Sequence, residues 1–134
     1  MTALENKARM TAIYAELANG NGGPFREAMA DDFTWIIMGQ TKWSGTYRGK
    51  DAVRTRLLEP LFKQFKDRYT NSAQRILADG DYVVIQCQGN VTTTSGQPYN
   101  NSYCLVVRMS HGKMKEMVEY CDTALIDAVL GAPS

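Results

Sequence analysis

Tyr82-Val83-Val84-Ile85-Gln86-Cys87-Gln88 presents two different faces. Val83, Ile85 and Cys87 point one way, and Val84, Gln86 and Gln88 the other, as side chains do along a β-strand. Asp79-Gly80-Asp81 precedes this run, and Ser95-Gly96-Gln97 and Ser110-His111-Gly112 follow it. Each is a short Gly-containing turn of hairpin type. The turns separate four strand-like runs, over 69–78, 82–93, 99–109 and 113–121, so the second half of the chain reads as an antiparallel meander. In the third run, Tyr103, Leu105 and Val107 oppose Cys104 and Val106.

Upstream the texture is helical. Thr2 and Glu5 have the spacing of a capping box, and Met10, Ile13, Tyr14 and Leu17 fall on one helical face. Asn19-Gly20-Asn21-Gly22-Gly23 stops that helix, and Pro24 suits the first turn of a short second one reaching about residue 30. Residues 33–38 are β-rich and carry Trp35, and a loop over 39–45 follows. A third helix is expected from Gly49, with Asp51 in its first turn and Val53, Leu57, Leu61 and Phe65 at four-residue spacing. Pro60 should kink or break it. Residues 124–130 form a short closing helix ended by Gly131.

Helices first and a meander second predict a single α+β domain over 1–134, with the helices on one face of a sheet. So few helices cannot cover both faces. The sequence therefore predicts a pocket on the helix side and a homodimer through the outer sheet face.

The chain has 134 residues, 44% hydrophobic and 22% charged, which rules out disorder. Its formal charge is +1 and it has no long basic run, which argues against a nucleic-acid partner. Cys87, Cys104 and Cys121 form no CxxC and read as free thiols of a reducing compartment. Charged residues interrupt the N-terminal segment, so it is no signal peptide, and no apolar run is long enough for a membrane span. The location expected is cytoplasmic, with no membrane partner.

Gly45-Thr46-Tyr47-Arg48-Gly49-Lys50 lacks the spacing and the hydroxyl of a phosphate loop, and reads instead as a glycine-started helix. His111 is the only histidine and falls in a turn, so neither a His-based triad nor a zinc site is expected. No other cofactor is implied. Asp122 is either a buried carboxylate with a raised pKa, able to act as acid or base, or the cap of the closing helix. Gln86 and Gln88 either orient a ligand oxygen or lie on a solvated sheet face. Tyr14 and Trp35 are either core residues or the aromatic wall of an apolar site.

Three helices, a Trp-bearing strand, the Gly-started third helix and a meander ending in Glu119-Tyr120-Cys121-Asp122 resemble the nuclear-transport-factor-2-like superfamily. Within it the chain is most similar to SnoaL-like polyketide cyclases, ketosteroid isomerases and limonene epoxide hydrolases. The resemblance runs from about residue 8 to 131. It implies a cone: three N-terminal helices on a curved, mostly antiparallel sheet, enclosing an apolar pocket, in a homodimer. Against the epoxide hydrolases, Asp122 falls on the last carboxylate of an Asp-Arg-Asp relay, while Gln86 and Gln88 fall where Arg and Asp stand. Against the ketosteroid isomerases, Tyr14 matches the oxyanion-hole tyrosine and Cys104 takes the place of the acidic donor. Against the cyclases, Glu119 or Asp122 matches the acidic residue of the last strand.

The expectation is thus a pocket for a small apolar, carbonyl-bearing molecule. Asp122 would serve as acid/base, with Tyr14, Gln86 and Gln88 on the substrate oxygen and Trp35 and Cys104 as wall. The alternative is a non-catalytic ligand-binding or dimerisation module that keeps the cone without the chemistry.

Overall fold

The computed structural model describes residues 1–134. Helix α1 (Ala3–Ala18) begins as expected: the Thr2 amide donates to Glu5 Oε1 at 2.8 Å and the Glu5 amide donates to Thr2 Oγ1 at 3.1 Å. Helix α2 (Gly23–Glu27) carries Pro24 in its first turn and buries Phe25. Strand β1 (Met29–Ile37) starts earlier than its β-rich core, because Met29 pairs with Met114 ahead of an irregularity that ends at Thr34.

Strand β2 (Gly45–Arg48) stands where a loop running into a helix was expected. Four residues leave no periodic signal, and the strand exists because Trp35–Tyr47 and Ile36–Thr46 pair it to β1. The third helical segment has three parts: α3 (Lys50–Ala52), a π-helical stretch (Val53–Leu58) and α4 (Glu59–Phe62). Pro60 explains the widened middle. Its ring crowds the carbonyl four residues back and it has no N–H to donate there. The Glu59 amide accordingly bonds to the Arg54 carbonyl, five residues away.

Strands β3 (Thr70–Asp79), β4 (Tyr82–Asn90), β5 (Ser102–Ser110) and β6 (Lys113–Cys121) form the meander. Helix α5 (Thr123–Val129) closes the chain. The six strands make one sheet in the order β2-β1-β6-β5-β4-β3, antiparallel except for the β1–β6 pair. This is the predicted α+β architecture, a curved sheet with N-terminal helices and a short C-terminal one. No helix is long and apolar enough to cross a membrane.

Alternation sorts the sheet into two faces. Phe33, Ile37, Val83, Ile85, Cys87, Leu105, Val107 and Met117 are buried on the helix side. Gln86, Gln88 and Cys104 lie on the opposite face, and this corrects their expected place in the pocket. Gln86 pairs with Cys104 across β4 and β5 and accepts a hydrogen bond from Arg75 Nη1 at 3.2 Å. Gln88 donates to the Asn100 carbonyl at 2.6 Å and accepts from Ser102 Oγ at 2.9 Å. The reason is the hydrophobic effect: the wholly apolar set Val83, Ile85 and Cys87 takes the helix side, and the period of two sends the glutamines outward.

Candidate functional site

The helix-side face does not pack solidly. A cavity of about 110 Å³ lies among α1, α2, the π-helical segment, α4, α5 and strands β1, β3, β5 and β6. This is somewhat smaller than the ~150 Å³ of an apolar cavity that accepts benzene, which sets its scale at no more than about one small ring. Its far end is closed by the C-terminal segment. Trp43 Nε1 donates to the Gly131 carbonyl at 2.7 Å, and Gln64 Oε1 accepts from the Gly131 amide at 2.8 Å. Exposed Arg26 is the only cation on the lining.

Tyr14 and Trp35 both line this cavity. Trp35 packs against Phe25 with ring centroids 5.8 Å apart and turns its indole N–H to Glu119 Oε1 at 3.2 Å. Glu119 stands on β6 between Leu105 and Ile37 and is 7% exposed. It is the one carboxyl on the lining. Burial pushes it up to about 7, against the lowering effect of the Trp35 N–H and the Cys121 thiol. Near neutral pH it therefore holds its proton about half the time, the condition that suits a general acid or base.

The other titratable groups inside behave differently. Burial raises the Tyr14, Tyr69 and Tyr103 phenols well above their usual value, and pushes Tyr99 and Cys87 up to about 12. All of them stay protonated at physiological pH and act as neutral donors. Glu119 and Cys121 alone fall short of a metal cluster, and no group of three or more His, Cys, Asp or Glu residues is gathered anywhere in the chain.

Asp122, the expected acid/base, is not in the cavity. It is exposed and caps α5, with its Oδ1 accepting from the Leu125 amide at 3.3 Å. On β6 Glu119 and Cys121 face inward and Tyr120 outward, so the next step of the alternation puts Asp122 on the outside as the chain leaves the sheet. The capping alternative describes it; the buried carboxylate is Glu119. That residue was hard to see because its neighbours Val118 and Tyr120 mimic a core face. Asn71, Tyr69, Tyr99 and Tyr103 also line the cavity. Alternation groups Tyr103 with Leu105 and Val107, but no sequence feature brings Tyr69, Asn71 and Tyr99 to it, since they come together only when β3, β5 and the segment before β5 meet.

The SnoaL-like domain model matches residues 10–117, most of the chain. The chain belongs to the SnoaL-like domain family. Solved structures agree with this membership at the level of fold. Bal32a, from a soil-derived mobile gene cassette, superposes with a TM-score of 0.81 at 16% identity, covering 96% of this chain and 98% of that one. An NTF2-like protein from Burkholderia thailandensis E264 gives 0.79 at 20%, covering 98% of each chain. A Jannaschia sp. CCS1 protein designated a SnoaL-like polyketide cyclase gives 0.77 at 19%, covering 99% of this chain and 96% of that one. Among curated proteins none matches. SnoaL-like chains share the cone and use it for different chemistries, so activity has to be argued from the site.

Proposed function

We propose that this SnoaL-like chain binds a small apolar, carbonyl-bearing molecule in the cavity and isomerises or cyclises it, with Glu119 as general acid/base. One observation carries the reading: the only carboxyl in a mainly apolar chamber is buried, held by the Trp35 N–H and poised near neutrality. As carboxylate, Glu119 takes a proton from the carbon beside the carbonyl, and the C–H electron pair moves into an enolate. In an isomerisation the proton returns to a different carbon. In a cyclisation the enolate carbon bonds to a second carbonyl carbon of the same molecule, and the new alkoxide takes the proton. Neither route consumes a co-reactant. A positioned acid/base of this kind contributes roughly 10²–10⁴ in rate. Trp35 is the positioning residue and Tyr14 a wall of the chamber.

The almost wholly apolar lining also supports a second reading, a binding module without turnover. Proton exchange separates the two. A panel of enolisable ketones is incubated in heavy water, and deuterium gain at the α-carbon is followed by NMR. The parent protein should accelerate exchange, Glu119→Gln should lose at least a hundredfold of that acceleration, and Asp122→Asn should keep it. Exchange unaffected by Glu119→Gln removes that residue from the chemistry, and ketone binding without exchange in the parent leaves the module.

The homodimer belongs to the same proposal. Leu77, Val84, Val106, Val118 and Ile36 pair successively across β3, β4, β5, β6 and β1, forming an apolar row over the outer face. Leu77 is 56% exposed and neighbouring Tyr120 is 47% exposed. A self-complementary row of this kind is what a two-fold interface buries.

A further inference from the structure

Of the residues that line the cavity, only Arg26 and Phe62 are exposed, so its mouth opens between α2 and α4. Phe25, one residue before Arg26, is buried against Trp35 and fixes α2 at that rim. The guanidinium folds back over Gly22, which is itself part of the lining: a Cβ there would lie 2.9 Å from Arg26 Nη1. Phe62 is 43% exposed although its ring packs against Phe65 and Tyr69, with centroids 5.6 and 6.2 Å away. The mouth therefore carries a cation and an uncovered apolar ring.

Two shallow depressions continue outward from this rim, each bordered by both Arg26 and Phe62. One adds Arg54, Glu59 and Lys63, the other Lys66, Asp67 and Arg68. Five cations thus meet two carboxylates, in a chain whose net charge is only +1. Both carboxylates are engaged. Glu59 Oε2 accepts from Arg54 Nη1 at 2.9 Å, and Asp67 Oδ1 accepts from the Thr92 amide at 2.8 Å. Arg68 Nη1 donates to the Gly20 carbonyl at 3.3 Å. Arg26 has no such partner. The ion pairs of the structure join Arg54 to Asp51 and Glu59, and Lys115 to Asp32, so even Glu119 inside the same cavity is beyond its reach.

Charge and volume together restrict how a guest lies. The cavity holds no more than about one small ring, so anything longer trails through the mouth. An anion drawn to the rim does not go inside: a buried charge without a partner is costly, and ionised Glu119 repels it. At the rim it stays partly in water and meets a guanidinium fork, whose parallel N–H groups match the paired oxygens of a carboxylate.

We infer that Arg26 is a carboxylate-recognition residue, and that the guest is a monocarboxylate whose apolar, carbonyl-bearing body enters the cavity while its acid group stays at the mouth. This rests on reading the cavity as a ligand site and narrows the proposed substrate to keto acids. One unpaired guanidinium balances one negative charge, and the surrounding lysines steer the anion toward it. Phe62 covers the chain that joins the two ends of the guest. Arg26 thereby sets the direction of entry and presents the body of the guest, not its acid group, to Glu119.

Toluene, 3-phenylpropionate and its neutral amide, 3-phenylpropionamide, separate the mouth from the chamber. Their dissociation constants are measured by ligand-observed NMR on the parent, Arg26→Gln, Lys63→Gln and Glu119→Gln, each checked for folding by circular dichroism. The parent should bind the acid about fivefold or more tighter than the amide. Arg26→Gln should abolish that preference with toluene within about twofold, and Lys63→Gln and Glu119→Gln should retain it. A parent that binds toluene but takes acid and amide equally overturns the carboxylate site and leaves the ligand reading of the cavity standing. A preference that survives Arg26→Gln overturns it too, as does one lost equally in Lys63→Gln, which traces it to the general field of the rim. A parent that binds none of the three probes overturns both readings.

Discussion

Glu119 is the residue on which most depends. Its folded pKa of about 7 lies above its ordinary value of 4.5, so between those pH values the native state binds more protons than the unfolded one. Stability must then fall as pH rises from about 4.5 to 7, by roughly 3 kcal/mol in all, and level off above. Denaturant titrations at pH 4.5 and pH 8 should show this loss in the parent and not in Glu119→Gln. Trp35→Phe tests the indole separately. It keeps the ring in the wall and removes the N–H that lowers Glu119, so the acidic limb of any pH–rate profile, set by formation of the carboxylate, should move to higher pH. An unmoved limb would deny Trp35 its positioning role.

At the scale of elements, the meander, the capping box at Thr2 and the break at Pro60 were legible because each depends on neighbours in sequence. Strand β2 was not, because its pairing with β1 alone makes it a strand. The glutamines show the limit of alternation: a period of two separates the faces of a strand without saying which one the helices cover. Asp122 shows how a local role can pass for a functional one. Asp122→Ala should cost about 1 kcal/mol of stability through loss of the α5 cap, read from thermal or urea unfolding, and leave toluene binding within about twofold. A tenfold weakening of toluene would mean that the start of α5 shapes the chamber directly.

Across the whole molecule, the sheet has an inner side with a cavity, proposed for a guest, and an outer side that no helix covers, proposed for a copy of the chain. The inner side keeps a void because bulky rings from the helices, β1 and the 65–69 segment meet around it without filling it. The outer side carries a continuous apolar row with no helix to cover it. Val106 lies at the middle of that row and points away from the cavity. Val106→Glu should shift the sedimentation coefficient from dimer to monomer while the fold is retained; a parent that sediments as a monomer at high micromolar concentration contradicts the interface. The chamber was foreseeable from the mismatch between few helices and a two-faced sheet. Its polar groups were not: Tyr69 and Asn71 lie two residues apart and Tyr99 and Tyr103 four apart, as on one strand face, but nothing in the chain says that the two pairs meet.

The account stands or falls with the carboxyl inside the chamber, and one titration reaches it directly. The Glu119 side-chain carboxyl carbon can be followed by ¹³C NMR from pH 4 to 9, with Glu119→Gln identifying its resonance. The prediction is a midpoint near 7. A midpoint close to the ordinary glutamate value of 4.5 would mean that the group is solvated, and would contradict the account.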